Sequence, residues 1–144
     1  MKRYIAIALI ASGTTAFAHS GVKDPDVKNR MMGMSNLAKQ MKVIGTMAKG
    51  QADFDAEAVT TALEQMSEEA SRIPALFETE ATDPKSEALP AIWTNWDRFT
   101  ARAAELETLT DGLAGTIRTS ADLGPAVRQI GKACGACHGD FRAK

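Results

Sequence analysis

The chain has 144 residues, of which 44% are hydrophobic and 24% are charged, and its formal net charge is -1 at pH 7. This length suits one compact domain, and the near-neutral charge argues against a nucleic-acid-binding protein, which would carry a basic excess or a basic stripe. Only 6% of the residues are aromatic, while Ala, Leu, Met, Glu and Lys are plentiful. The composition therefore favours helices over strands.

Residues 1–18 have the pattern of a secretory signal peptide. Lys2 and Arg3 precede an apolar run over residues 4–11, and small residues follow up to Ala16-Phe17-Ala18. This is a charged n-region, a short h-region and an A-x-A cleavage site, and the apolar run is far shorter than the roughly 20 residues of a transmembrane helix. We expect cleavage after Ala18, which leaves one exported domain over residues 19–144, without membrane insertion and periplasmic in a Gram-negative host.

Apolar residues of the mature chain recur at alternating steps of three and four, the pattern of packed helices. The first stripe comprises Val27, Met31, Met34, Ala38, Met41 and Ala48, with Leu37 and Ile44 beside it. The second comprises Val59, Leu63, Met66, Ala70, Ile73 and Phe77. The third comprises Ile92, Trp96, Phe99, Ala103, Leu106, Thr110 and Leu113. The fourth comprises Leu123, Val127, Ile130, Cys134, Cys137 and Phe141.

The ends of these helices also carry sequence signals. Asp24 followed by Pro25 is typical of an N-cap with proline at the first helical position, and Pro74 should kink or end the second helix near its last turn. Residues 78–87 have no apolar period and predict a solvated loop. The segment 119–122 marks the start of the fourth helix. Four amphipathic helices with short to moderate connections predict an all-α protein, an antiparallel four-helix bundle, which fits better than a three-helix arrangement.

The motif Cys134-Gly135-Ala136-Cys137-His138 indicates the chemistry. In a C-x-x-C-H sequence the two thiols lie on one side of a helical turn, where they can add across the two vinyl groups of a single haem. The adjacent imidazole can then bind the iron. Because both cysteines fall on the fourth apolar stripe, we expect one covalently attached haem c within the bundle.

Three other interpretations of the cysteines fit less well. A thioredoxin-like pair needs C-x-x-C at the start of a helix that follows a strand. A zinc site needs further Cys or His ligands, and the only other histidine is His19. A structural disulfide between the two cysteines would close a tiny loop and give His138 no role.

With this motif in the last helix of a four-helix bundle, the chain resembles the cytochrome c-prime family, the class II c-type cytochromes. The resemblance extends over nearly all of the mature chain. Its matching segments are residues 28–30 with the methionine-rich turn after them, 49–55, 73–74, 90–93 and 134–142.

The resemblance implies roles for particular residues. In the low-spin group of the family, a methionine four residues after the arginine of the first helix is the sixth iron ligand. Here these residues are Met34 and Arg30, and Arg30 would pair with a haem propionate. Met31, one turn before Met34, is the competing ligand, and ordinary core packing is the alternative for both methionines. His138 would be the proximal ligand, with Arg142 near the same face of the haem.

Two functions follow from the resemblance. A His138–Met34 pair implies a periplasmic electron carrier, which is not an enzyme and meets its redox partner proteins in weak, transient contacts. An open sixth position implies instead a high-spin protein that binds nitric oxide or carbon monoxide. Members of the family often pair through their first two helices, whereas the outer face of the first helix here is polar enough to remain solvated, so the sequence leaves a homodimer open.

Overall fold

The structure, a computed structural model, describes residues 21–144. Within this range the chain forms six helices. They are α1 (Pro25–Ala48), α2 (Ala56–Ser71), α3 (Ile73–Phe77), α4 (Ala91–Thr94), α5 (Trp96–Leu113) and α6 (Ser120–Phe141). The predicted signal peptide lies outside the described residues. Within them there is no strand, and one isolated antiparallel bridge joins Ala88 to Arg142.

The four long helices form a bundle in which α1 contacts α2 and α6, and α5 contacts the same two helices. Neighbouring helices are antiparallel. Arg30 near the start of α1 bonds to Leu76, just beyond the end of α2, and Phe99 at the start of α5 stacks edge-on against Phe141 at the end of α6. The predicted all-α four-helix bundle is therefore confirmed. No helix in the described range is long and apolar enough to cross a membrane.

Acidic side chains cap the helices at the positions that the sequence indicates. The Asp24 carboxylate accepts the backbone N–H groups of Asp26 and Val27 at 2.9 and 3.0 Å, and Pro25 is the first residue of α1. At the start of α6, the Asp122 carboxylate accepts the backbone N–H and the hydroxyl of Thr119, both at 2.9 Å. These bonds satisfy donors that the first turn of a helix leaves free.

The core stripe of α1 differs from the prediction. Its buried residues are Val27, Arg30, Gly33, Leu37 and Ile44, whereas Ala38 is exposed and Met31 is only half-buried. The predicted stripe was therefore rotated around the helix. The reason is that an arginine and a glycine occupy the centre of the buried face, and neither residue contributes to an apolar pattern.

The other stripes are close to the prediction. All six predicted residues of the second stripe are buried. The buried residues of the third stripe are Ile92, Phe99, Ala103, Leu106 and Thr110. Its helix is broken at Asn95 into α4 and α5. The Asn95 side-chain amide donates to the Ala91 carbonyl at 3.1 Å, and such a local side-chain bond competes with the helical backbone pattern. In α6, Leu123, Ile130 and Phe141 are buried, with Val127 and both cysteines half-buried.

The segment after α3 is irregular, as expected, but it is tied to the rest of the molecule. The Asp83 carboxylate accepts the backbone N–H groups of Lys23 and Asp24 at 2.9 and 3.3 Å and of Lys85 at 2.8 Å. The bond from Lys85, followed by the bond from Lys23, lowers the pKa of Asp83. At its far end, Leu89 donates its N–H to the Phe141 carbonyl at 3.0 Å. The segment therefore connects the start of α1 to the end of α6.

Gly33 lies on the side of α1 that packs closely against the α2–α3 corner. A Cβ atom at this position would lie 2.8 Å from Leu76 Cδ1 and 2.9 Å from Glu69 Oε1. Both distances are shorter than van der Waals contact allows, so Leu76 and Glu69 would have to move. Gly45, on the same helix, has nothing within 4 Å of the corresponding position.

We expect the substitutions Gly33→Ala and Gly45→Ala to have different effects on stability. Alanine at 45 should raise the free energy of unfolding by about 0.5–1 kcal/mol, because alanine favours helix over glycine. Alanine at 33 has the same advantage in helix propensity, but it overpacks the contact between α1 and α2. The Gly33→Ala protein should therefore be less stable than the Gly45→Ala protein by about 1–2 kcal/mol. Chemical denaturation of the two holoproteins measures the difference, and equal stabilities would contradict a close contact at Gly33.

Candidate functional site

Cys134 and Cys137 lie one turn apart near the end of α6. Both thiols are unpaired, both side chains are half-buried, and both pack against the hydrophobic core. A spacing of three residues places them on the same side of the helix. The structure therefore brings the two cysteines together on the inner face of α6, as the sequence predicts, with His138 on the next residue.

Burial sets the protonation of the thiols. It raises the pKa of Cys137 to about 11, although the Arg102 charge acts in the opposite direction, and it also raises the pKa of Cys134. Both side chains are consequently neutral thiols at pH 7. Among residues 21–144 no group of three or more His, Cys, Asp or Glu side chains could hold a metal ion.

His138 is exposed, and its imidazole has no hydrogen-bond partner among residues 21–144. Partial desolvation and then the nearby Arg142 charge lower the pKa of His138, while Glu87 raises it. The ring is therefore neutral at pH 7, and a neutral imidazole has a lone pair with which it can bind a metal.

Two sets of ion pairs fix the last turn of α6. The Asp140 carboxylate accepts a hydrogen bond from Arg98 of α5 at 2.7 Å, and Arg102 lies 4.0 Å from the same oxygen. Arg142 pairs with Glu87 at 2.6 Å. These pairs link α6 to α5 on one side and to the segment before α4 on the other, so they orient the turn that carries Cys137 and His138. No sequence signal pairs residues so distant in the chain.

Met34 is half-buried and packs against the core. Successive residues of a helix are about 100° apart, so Met34 lies about 100° around α1 from Gly33, which faces the α2–α3 corner. Since the start of α1 lies beside the end of α6, Met34 and Cys134 are at similar heights in the bundle. Met31 is not among the side chains that pack against the core.

Arg30 is only 3% exposed, and its guanidinium binds backbone carbonyls. Its Nε donates to Leu76 at 2.9 Å and its Nη1 to Ala81 at 3.0 Å, while its Nη2 donates to Thr79. Burial lowers the pKa of Arg30, although Asp26 and Asp24 raise it.

Two aromatic rings enclose the Arg30 guanidinium. The Phe77 and Trp93 ring centres lie 5.0 and 5.3 Å from its central carbon, which is a cation–π arrangement. Trp93 also donates its indole N–H to the Phe77 carbonyl at 2.8 Å. Arg30 thus connects α1 to α3, α4 and the loop between them, a role that the sequence did not indicate.

The arrangement defines a class of protein: a helical bundle with a C-x-x-C-H turn on the inner face of one helix, as in a c-type cytochrome. The family model described as Cytochrome C' matches residues 26–142. The chain belongs to the cytochrome c′ family. The cofactor is haem c, and the chain has the two cysteines that covalent attachment needs.

Proteins from Rhodopseudomonas palustris illustrate the similarity. Its cytochrome c-556 is 33% identical over 145 residues, which cover 97% of this chain and 95% of that protein. Its cytochrome c' is 31% identical over 142 residues, which cover 97% of both. The structure of oxidised cytochrome c556 from the same organism superposes with a TM-score of 0.77 at 34% identity, over 85% of this chain and 98% of that one. The identities to cytochrome c-556 and to cytochrome c', 33% and 31%, are so similar that they do not show which of the two proteins this chain resembles in function.

We expect Arg30→Lys to destabilise the protein by about 2–4 kcal/mol. Lysine keeps the charge, but its three donors lie on one nitrogen and cannot replace the three separate nitrogens of the guanidinium that bind the carbonyls. Buried groups left unpaired are costly. Arg72→Lys is the control, because Arg72 is exposed and forms only a long surface ion pair of 3.9 Å with Glu69, and its loss should cost less than about 0.5 kcal/mol. Denaturation of the holoproteins measures both, and a variant at position 30 with unchanged stability would contradict the anchoring role.

Proposed function

We propose that this protein is an exported, monohaem electron carrier in which His138 and Met34 are the two axial ligands of the iron. When bound, the haem supplies an iron that accepts and releases one electron. We further propose that residues 1–18 are a cleaved signal peptide and that the protein acts in the periplasm. The single observation that carries the ligation proposal is that Met34 is half-buried and packs against the core, whereas Met31 does not.

Cys134 and Cys137 would hold the haem covalently. Each thiol would add across one vinyl group, with sulfur bonding to one vinyl carbon and the thiol hydrogen going to the other. Two thioether bonds would tie the porphyrin to one turn of α6. The neutral imidazole of His138, on the adjacent residue, would supply a nitrogen ligand for the iron. The ion pairs of Asp140 and Arg142 would hold this turn in a constant position during electron transfer.

The methionine proposal is supported by the chemistry of the donors. A thioether is a common axial ligand of haem in electron-transfer cytochromes, and methionine with histidine raises the reduction potential. Met34 is held on a helix that is itself fixed by Arg30 and Gly33. With both axial positions filled by the protein, the iron would be low-spin and would exchange electrons rather than bind a gas or a substrate, so we propose no enzymatic activity.

Arg30 retains a narrower role toward the haem. Three of its donors are used by the carbonyls of Leu76, Thr79 and Ala81, and a guanidinium has five N–H groups. Two N–H groups therefore remain with which Arg30 could bind a propionate, as the family resemblance implies. We propose that anchoring the loop is its main role.

The alternative is a five-coordinate, high-spin protein that binds nitric oxide or carbon monoxide. In that case Met34 is a core residue and the distal side of the iron is open. The optical spectrum of the purified ferric and ferrous protein separates the two, because a methionine-ligated iron is low-spin in both oxidation states. A high-spin ferric spectrum, with carbon monoxide bound at once and no ligand displaced, would contradict the carrier proposal.

We expect Met34→Leu to convert the iron from low-spin to high-spin and to lower its reduction potential, because leucine fills the same volume without a donor atom. The matched control is Met31→Leu, one turn earlier on α1, which should leave both properties unchanged. Optical spectra and potentiometric titration of the two holoproteins measure these changes. A low-spin Met34→Leu protein together with a high-spin Met31→Leu protein would assign the ligand to Met31 instead.

A further inference from the structure

Charge is divided unevenly between the two halves of the bundle. Residues 27–48, in α1, contain four basic residues and no carboxylate, and residues 123–139, in α6, contain two basic residues and no carboxylate. Residues 50–71, which include α2, contain six carboxylates and no basic residue. Because α1 packs beside α6 and α2 packs beside α5, a basic side and an acidic side lie opposite one another, although acidic residues outnumber basic ones in the whole chain.

The basic side presents two stripes of exposed residues, which we call the basic face. They are Lys28, Ser35 and Lys42 on α1, and Arg128, Lys132, Gly135 and Gly139 on α6. The spacing of seven residues on α1, and of four, three and four on α6, keeps each stripe on one side of its helix.

Contacts to the other helices show that the two stripes lie on the same side of the bundle. Gly33 marks the side of α1 that faces the α2–α3 corner, and Lys28 and Lys42 lie about 140° and 180° around the helix from it. Asp140 marks the side of α6 that faces α5, through its pair with Arg98, and the exposed residues of the α6 stripe lie about 80–140° from it. The α1 stripe therefore points away from α2, and the α6 stripe faces solvent and not α5.

The basic face covers the part of α6 that carries the haem-binding motif. Gly135 follows Cys134 directly, and Gly139 follows His138. Both glycines are exposed and have nothing within 4 Å of the position of a Cβ atom. Without a side chain at these two positions, the surface of another protein can approach the backbone of the α6 turn that carries the haem-binding motif, and electron transfer is fastest over short distances.

We propose that the basic face is the docking surface for an acidic redox partner protein. This inference rests on the proposed function, since it assigns the surface through which the carrier exchanges electrons. Complementary charges accelerate association and favour one orientation without requiring tight binding, which suits a contact that must dissociate after each electron. A membrane fits this face less well, because membrane-binding helices combine basic residues with exposed Trp, Phe or Leu, and the basic face has none.

The test uses the holoprotein on a gold electrode coated with a carboxylate-terminated monolayer, which presents the chemical group of Asp and Glu. The double variant Lys42→Gln/Lys132→Gln removes two positive charges from the basic face. The matched control Gln51→Glu/Gln65→Glu adds two negative charges at exposed positions in the α1–α2 turn and on α2. The two variants have the same net charge, so they differ only in where the charge was changed.

We expect the unmodified protein to adsorb at about 10 mM ionic strength in spite of its negative net charge, and to be released at about 0.5 M, where screening acts over a few ångströms. The lysine variant should adsorb about tenfold more weakly, and the control should stay within about twofold of the unmodified protein. Equal losses in both variants, or no adsorption of the unmodified protein, would overturn the proposal. Stronger retention on a phosphatidylglycerol bilayer of equal charge density would assign the face to a membrane instead.

This experiment separates the two proposals. Optical spectra of all three proteins report the ligation of the iron independently of adsorption. If the spectra are low-spin and the voltammetry is reversible, but adsorption does not depend on Lys42 and Lys132, the docking proposal fails while the carrier proposal stands. If the unmodified protein is high-spin, the carrier proposal fails, whichever variant adsorbs.

Discussion

The buried guanidinium of Arg30 is the interaction on which the arrangement of the helices depends. Its N–H groups bind carbonyls on both sides of the turn after α3, and its faces contact rings from α3 and α4. A charged group is costly to bury unless its donors are satisfied, so the loop can take only conformations that present carbonyls to it. The start of α1 is thereby fixed against the end of α2, and the rotation of α1 about its own axis is set.

This rotation explains what could and could not be predicted from the sequence. The stripe of α2 was correct because all its buried residues are apolar, and the starts of α1 and α6 were correct because Asp24 and Asp122 are local caps. The stripe of α1 was wrong because its centre holds Arg30 and Gly33. Their burial depends on carbonyls and side chains of α2, α3 and the loop beyond, which no local pattern reveals. The break at Asn95 was missed as well, because neither proline nor glycine marks it in the sequence.

The candidate site shows the same division. The relative positions of Cys134, Cys137 and His138 follow from helical geometry alone, so the sequence was sufficient to place them on one turn. The position of Met34 relative to that turn depends on the packing of two helices far apart in the chain. The tertiary ion pairs of Asp140 and Arg142 depend on it as well, and only the folded structure shows them. The chemistry of the site is thus local in origin, and its orientation is not.

The contact between Gly33 and the α2–α3 corner bears on the proposed role of its neighbour Met34. Because Gly33 packs α1 closely against that corner, the backbone that carries Met34 has little room to move. If Met34 is the ligand that we propose, a change at the iron would be taken up by the flexible methionine side chain and not by the helix. In the language of electron-transfer theory, such an arrangement would keep the inner-sphere reorganisation energy small.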